Sequence, residues 1–281
     1  MRDPAEHRRD WQIPAHRRAV FAPKRWSHAL VIPVINEGER IRDQLRRIAG
    51  HGPGMDVIIA DGGSTDGSLD PAFLRGCGVR ALLTKTGPGR LSAQLRMAYA
   101  FALDEGYEGI VTIDGNGKDD VAGLDAVLAK LREGYDYVQG SRYARGGQAV
   151  NTPWLRWFAG RFIHAPVISL AAGQWFTDTT NGFRGYSARY LRDPRVQPFR
   201  EVFDEYNLLF YLSVRATQLG YRACEVGVTR RYPARGAVPT KIRGLKGPLR
   251  LLGELFAVAL GGFRPPRRDA NGRLDRSDNS S

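Results

Sequence analysis

Cysteine is nearly absent: the chain contains two, Cys77 and Cys224, and neither sits in a Cys-x-x-Cys pair. That excludes a disulfide-stapled scaffold and leaves no visible zinc or redox motif. Two reduced, buried thiols are the expectation. The five histidines, His7, His16, His28, His51 and His164, are scattered, with no His-Glu-x-x-His. Long apolar runs are missing too. The opening MRDPAEHRRDWQIPAHRRAVF holds no apolar core of signal-peptide length. No stretch reaches the roughly 18 apolar residues that span a bilayer. The expectation is a cytoplasmic protein that can work at the inner face of the plasma membrane. Acidic residues are outnumbered: 42 Lys and Arg face 29 Asp and Glu, a formal net charge of +13. Such a surface favours anionic partners, whether nucleotides, phospholipid headgroups, nucleic acid or acidic glycans.

Familiar phosphate and hydrolase motifs are also missing. GPGRLSAQ, at 87–94, lacks the Gly-x-x-x-x-Gly-Lys-Ser/Thr spacing of a P-loop. No Gly-x-Gly-x-x-Gly follows the first strand, which disfavours a dinucleotide enzyme. No Gly-x-Ser-x-Gly elbow occurs, which disfavours an α/β-hydrolase. Asp114-Gly-Asn116-Gly-Lys118 opens like a calcium loop, but Lys118 at its fifth position argues against one. No nucleic-acid-binding motif accompanies the charge, which disfavours nucleic acid as the partner.

What is present is enough apolar material, 42% of residues, to bury a sizeable core. Short β-branched runs at 29–34, 55–60, 79–83, 109–113, 135–138 and 223–228 read as strands. Helical spacing appears at 37–49, 92–103, 124–131 and 204–219. This alternation predicts an α/β fold with a mixed, mostly parallel sheet and right-handed crossovers. Ligands bind such sheets beyond the carboxyl ends of the strands. Polar clusters fall at those ends: Asn36-Glu37, 61–66, 114–120 and Ser141-Arg142. The expected organisation is a flexible basic arm over 1–27 and a catalytic domain over 28–233. A loop and apolar helix over 234–263 and a disordered polar tail over 264–281 complete it.

The clusters then fall into a known pattern. IPVINEGE (32–39), ADGGSTDGS (60–68) and TIDGNGKDD (112–120) resemble the first motifs and the acidic metal motif of family 2 glycosyltransferases. GSRY (140–143), TDTTNGFRGYS (177–187) and LGYRACEVGVTRRYP (219–233) resemble the branch that holds the dolichyl- and polyprenyl-phosphate sugar synthases. The resemblance covers roughly residues 28–233 in unbroken order. It implies the GT-A fold and inverting transfer of a sugar from a nucleotide diphosphate donor. The acceptor it implies is a polyprenyl phosphate, or else a saccharide hydroxyl.

By that resemblance Pro33, Asn36 and Glu37 line the nucleotide site, and Asp61, with Ser64 beside it, meets the base or ribose. Asp66 either joins them or caps the following helix. The resemblance places a divalent cation, Mg²⁺ or Mn²⁺, on Asp114 and Asn116. Asn116 stands where a second acid is usual and ligates through its carbonyl oxygen without supplying charge, and Lys118 lies nearby, two departures that put the cation in question. Arg142 and Arg184 are the cationic candidates for the phosphates, because an arginine presents a planar fork of donors. Lys85 and Arg90 are further candidates. Asp178 is the first choice near the acceptor, as base or positioning group, followed by Asp204 and Glu205. The branch often carries Glu where Asn207 falls.

The aromatic, Arg-studded segment 154–176 and the apolar segment 249–263 suit either the core or an anionic membrane surface. Lys241, Arg243, Lys246, Arg250 and Arg264 flank the second of these. The Pro- and Gly-containing stretch 231–244 has no assignment from its residues; an acceptor-site loop is one reading open to it, since such loops often carry specificity. Two other classes stand beside the enzyme: a nucleotide-sugar-binding module without catalysis, which Asn116 and Asn207 would fit, and a basic nucleic-acid-binding protein.

Overall fold

The structure is a computed structural model that describes residues 8, 10–234 and 246–265. Most of the candidate acceptor-site loop over 231–244, with Lys241 and Arg243, lies outside the described residues, as does the tail beyond 265. In chain order the elements begin with β1 (His16–Val20), β2 (His28–Val34), α1 (Glu39–His51), β3 (Asp56–Asp61), α2 (Pro71–Gly76), β4 (Val79–Lys85) and α3 (Leu91–Asp104). Next come β5 (Gly109–Thr112), α4 (Gly123–Arg132), β6 (Tyr137–Ser141), β7 (Gln148–Val150) and α5 (Trp154–Ala159). A π-helical turn (Gly160–His164) joins α5 to α6 (Ala165–Ala172). The rest is β8 (Arg184–Ser187), α7 (Ala188–Arg192), α8 (Asn207–Gln218), β9 (Ala223–Gly227), β10 (Thr229–Arg231) and α9 (Lys246–Ala259).

Eight strands form one sheet in the order β1-β4-β3-β2-β5-β8-β6-β9. The central four, β4-β3-β2-β5, are parallel. Their Val, Ile, Leu and Ala runs are buried on both faces, as central parallel strands require. Along β2 the side chains alternate between two cores, Ala29 and Val31 on one face, Leu30, Ile32 and Val34 on the other. α3 and α8 cover the first core; α1, α2 and α4 cover the second. Pro33 has no N–H to give a neighbour. The β5 ladder proper stops at Val31, and beyond it Pro33 gives only its carbonyl, which accepts from Gly115 N–H at 3.3 Å.

The architecture is therefore α/β with a mixed, mostly parallel sheet flanked by helices. Both cysteines are free thiols, Cys77 buried and Cys224 half-buried. Two features depart from expectation. The described part of the arm packs on the domain: β1 pairs antiparallel with β4, and Trp11 stacks on Phe199 at 3.9 Å between centroids. A polar edge strand gives no apolar alternation, so HRRAV carried no strand signal. Second, RGYS forms β8, antiparallel between β5 and β6. Arg and Gly mask that strand in the sequence; its neighbours on both sides create it.

Candidate active site

The strand-end clusters do meet at one edge of the sheet. After β2, Asn36 takes a left-handed conformation at φ 48°, which its short polar side chain tolerates. Its Oδ1 accepts from the Thr65 N–H at 2.8 Å, and its own N–H donates to Ser64 Oγ at 3.0 Å. Asp61 accepts from the N–H groups of Gly63 and Ser64 at 3.1 and 2.8 Å, which folds the loop back on β3. Asp66 accepts from Gly38 N–H at 2.8 Å and from Ser68, so it fastens the turn before α1 to the β3 loop. It caps no helix; Asp70 caps α2 instead. Burial opposes ionisation of Asp66, but the bonds from Ser68 and Gly38 outweigh it and lower its pKa. Glu37 accepts from Arg40 at 2.8 Å. Gln94, which the sequence did not single out, donates to the Val34 and Ala60 carbonyls at 2.9 and 3.0 Å and ties the ends of β2 and β3 together.

The acidic motif leaves β5 at Asp114. Buried Gln44 on α1 holds its loop, donating to the Asp114 carbonyl at 2.9 Å and accepting from Gly117 N–H at 2.8 Å. Asp114 Oδ2 accepts from Arg230 at 2.8 Å and Asn116 Nδ2 lies 3.4 Å away. Its Oδ1 packs against Gly182, where a Cβ would collide with it. That close approach explains the glycine in NGF. The other arm of Arg230 donates to both oxygens of Asp119 at 2.8 Å. Burial works against the Asp114 carboxylate, yet the Arg230 guanidinium holds its pKa below the ordinary value. Lys118 is buried beside them, with Nζ 5.1 Å from the centroid of the Tyr232 ring. Tyr206 stands near as well: burial, then the charges of Asp114 and Glu205, push its phenol up to about 12.

Three expected side chains point elsewhere. Arg142 and Asp178, assigned to donor phosphate and acceptor, face each other: Nε and Nη2 of Arg142 donate to the carboxylate at 2.7 and 2.8 Å. Both are buried. Burial alone would raise the Asp178 pKa, but Arg142 lowers it, the wrong direction for a general base. Arg184 is 1% exposed and turned into the core. It donates to the carbonyls of Asn181, Thr179 and Leu209 and to Ser213 Oγ, so it organises the loop before β8 rather than facing solvent. The NGFR pattern could not reveal this, because the carbonyl acceptors carry no sequence signature.

The remaining candidates gather at the start of α3. Asp204 Oδ1 accepts from Arg90 N–H at 3.1 Å, and its carbonyl accepts from Ser92 N–H at 3.0 Å. It therefore satisfies the first turn of α3 across the chain. Arg90 pairs with Glu205, which also meets Arg250 at 3.0 Å. Lys85 donates to the Gly87 carbonyl at 2.7 Å. Four residues beside Asp114 were not singled out in the sequence: Asp119, Arg230 and Tyr232, which lie inside the quoted motifs, and Tyr206, which lies outside them. The double arginine after the last strand was the one available signal.

The residues present do not fit a divalent cation held by the protein. At nucleotide sites such ions take one or two protein carboxylates and complete their oxygen shell with substrate phosphates and water, so the carboxylates must be free to reach the ion. Among the described residues no group of three acidic, His or Cys side chains stands together. At the motif two carboxylates, Asp114 and Asp119, are both engaged by one guanidinium, with an amide and an ammonium beside them. With Arg40, Arg47 and Arg231 around the adjoining cleft, these surroundings can attract an anion.

These loops and this sheet define a sugar-transferase scaffold, and residues 29–193 match the family described as glycosyl transferase family 2. The chain belongs to that family. It is 31% identical over 206 residues to an undecaprenyl-phosphate mannosyltransferase of Micrococcus luteus, covering 71% of this chain and 81% of that protein. It is 26% identical over 251 residues to a polyprenol monophosphomannose synthase of Mycolicibacterium smegmatis, covering 88% and 89%. Its fold is that of glucosyl-3-phosphoglycerate synthase from Mycobacterium tuberculosis, a GT-A enzyme solved with Mn²⁺, UDP and phosphoglyceric acid (TM-score 0.60, 16% identity, covering 83% and 77%). The same enzyme was solved with Mg²⁺ and UDP.

Proposed function

We propose that this glycosyltransferase moves a mannose-type hexose from a nucleoside diphosphate donor to a polyprenyl phosphate, with inversion at the sugar carbon. The observation that carries the reading is the 31% identity to a transferase whose named acceptor is undecaprenyl phosphate. Three structural features support it.

The β2 and β3 loops, tied by Asn36, Ser64, Asp61 and Asp66, form a polar shelf at the strand ends where such folds bind nucleotides. In this reading Pro33 and Glu37 border the base and ribose. Next, the three acids offered as acceptor-side groups are all engaged: Asp178 by Arg142, Asp204 by the α3 turn and Glu205 by Arg90 and Arg250. A saccharide hydroxyl needs a base to take its proton. A lipid phosphate is already anionic and needs none, which suits this arrangement. Finally, α5, the π-helical turn, α6 and the loop after it expose Trp154, Leu155, Phe162, Leu170 and Trp175, with Arg156 and Arg161 among them. α9 packs on α6 and exposes Leu249 and Leu260. Aromatic and basic side chains on one face suit the interface of an anionic bilayer, where the acceptor's phosphate lies. No described helix is long and apolar enough to cross a membrane, so contact in this reading is peripheral.

The test is transfer from radiolabelled GDP-mannose to undecaprenyl phosphate in detergent, with undecaprenol as the matched alcohol. The reading predicts label in the organic phase with the phosphate alone. Equal transfer to the alcohol, or transfer only to a free saccharide, would contradict it.

A further inference from the structure

The acidic motif carries the charge pattern of an anion site. Asp114 and Asp119 are both held by Arg230 at 2.8 Å. Between them stand an amide, Asn116, and a buried ammonium, Lys118. Arg230 and Arg156 lie over the ring of Tyr232 that Lys118 also faces, each 5.9 Å from its centroid. Burial would raise the Tyr232 phenol, yet Arg230, Arg142, Lys118 and Arg156 together lower its pKa. A cleft of about 330 Å³ opens beside Lys118 and is lined by Arg40, Arg47 and Arg231 against a single acid, Asp43. A doubly charged cation brought here would meet ammonium and guanidinium groups at close range. A diphosphate would meet the same charges with the favourable sign.

We infer that Lys118, with Arg230 behind it, supplies the positive charge that a divalent cation would bring to this motif, so that the chain holds its donor's diphosphate without a metal. The inference rests on the donor reading given above. In the transfer, the bond between the sugar carbon and the β-phosphate oxygen breaks and its electron pair stays on that oxygen. The acceptor oxygen forms the new bond to the carbon. The ammonium of Lys118 meets the charge left on the nucleotide. Arg230 is a positioning residue: it cancels two carboxylates that would otherwise repel the diphosphate.

The experiment is calorimetric titration of the full chain with GDP and with UDP, each in EDTA and in excess Mn²⁺. Wild type is expected to bind one nucleotide with affinities within about threefold of each other in the two buffers, and Lys118→Met to lose roughly tenfold or more in EDTA. The double variant Asn116→Asp/Lys118→Gln is expected to fold as wild type by thermal melting and to bind more tightly in Mn²⁺ than in EDTA. Wild-type binding that tightens roughly tenfold or more in Mn²⁺, or Lys118→Met binding like wild type in EDTA, would overturn the inference. Binding of neither nucleotide in either buffer would instead sink the donor reading and this inference with it.

Discussion

The two ends of the candidate site are built on different principles. At the shelf formed by the β2 and β3 loops, Asn36 and Asp66 reach partners 28 or 29 residues away, and each bond has a backbone N–H or a hydroxyl on one side. At the acidic motif, Arg230 reaches Asp119 and Asp114 across 111 and 116 residues, and its shortest contacts are to charged partners, the amide of Asn181 standing further off at 3.3 Å. The shelf is partly exposed, and the cluster around Asp119 is buried. A hydrogen bond exchanged with water contributes about 1 kcal/mol, whereas breaking a buried ion pair leaves a charge without compensation. The shelf should therefore tolerate change that the acidic end does not.

The largest expected effect is that of Arg230→Met. It strands Asp119, which is 1% exposed, and should cost about 3–5 kcal/mol in urea unfolding. A loss below about 1 kcal/mol would put the acidic end on the same footing as the shelf. Arg184→Met comes next, at roughly 3 kcal/mol, because buried carbonyls lose their donor. Nucleotide binding by whatever protein stays folded should be little changed. A well-folded Arg184→Met protein that has lost donor affinity would return Arg184 to the binding site.

Acid should separate two further groups. His164 is buried in the π-helical turn, and burial lowers its pKa from 6.5 to about 4. The unfolded chain takes up a proton near 6.5 and the folded chain near 4. Stability is thus full above 6.5 and falls as pH drops between these values, by roughly 3 kcal/mol. His164→Phe should flatten that slope. Asp178 behaves differently: Arg142 lowers its folded pKa, so its contribution persists at neutral pH and is lost below the ordinary carboxylate range. Asp178→Asn should lower stability at neutral pH, because it leaves buried Arg142 without its partner, and should flatten the pH dependence in the lower window alone. The smallest effect belongs to the shelf: Asn36→Ala gives up one loop contact, the bond from Thr65 N–H to Oδ1, and a tolerated left-handed residue, about 1–2 kcal/mol.

The same contrast explains what was legible in the sequence. The parallel strands showed because buried β-branched runs such as ALVIPV announce themselves, and the shelf residues showed because their partners lie within one or two motifs. Asp114 was found, and its partner was not. Nothing near Arg230 in the chain says that it folds back on β5, just as nothing in GSRY says that Arg142 is met by Asp178. Long-range ion pairing decided which of the expected charges face the site, and a single sequence records each partner without recording the pairing. β1 and β8 stayed hidden for a related reason, since their neighbours in the sheet rather than their own residues make them strands.

The most direct measurement of this account is a double-mutant cycle on stability between Asp114→Asn and Arg230→Met. If Arg230 neutralises the acidic motif, the two changes should couple by roughly 1.5–3 kcal/mol. Additivity within about 0.5 kcal/mol would mean that the pair does not set the charge of the site.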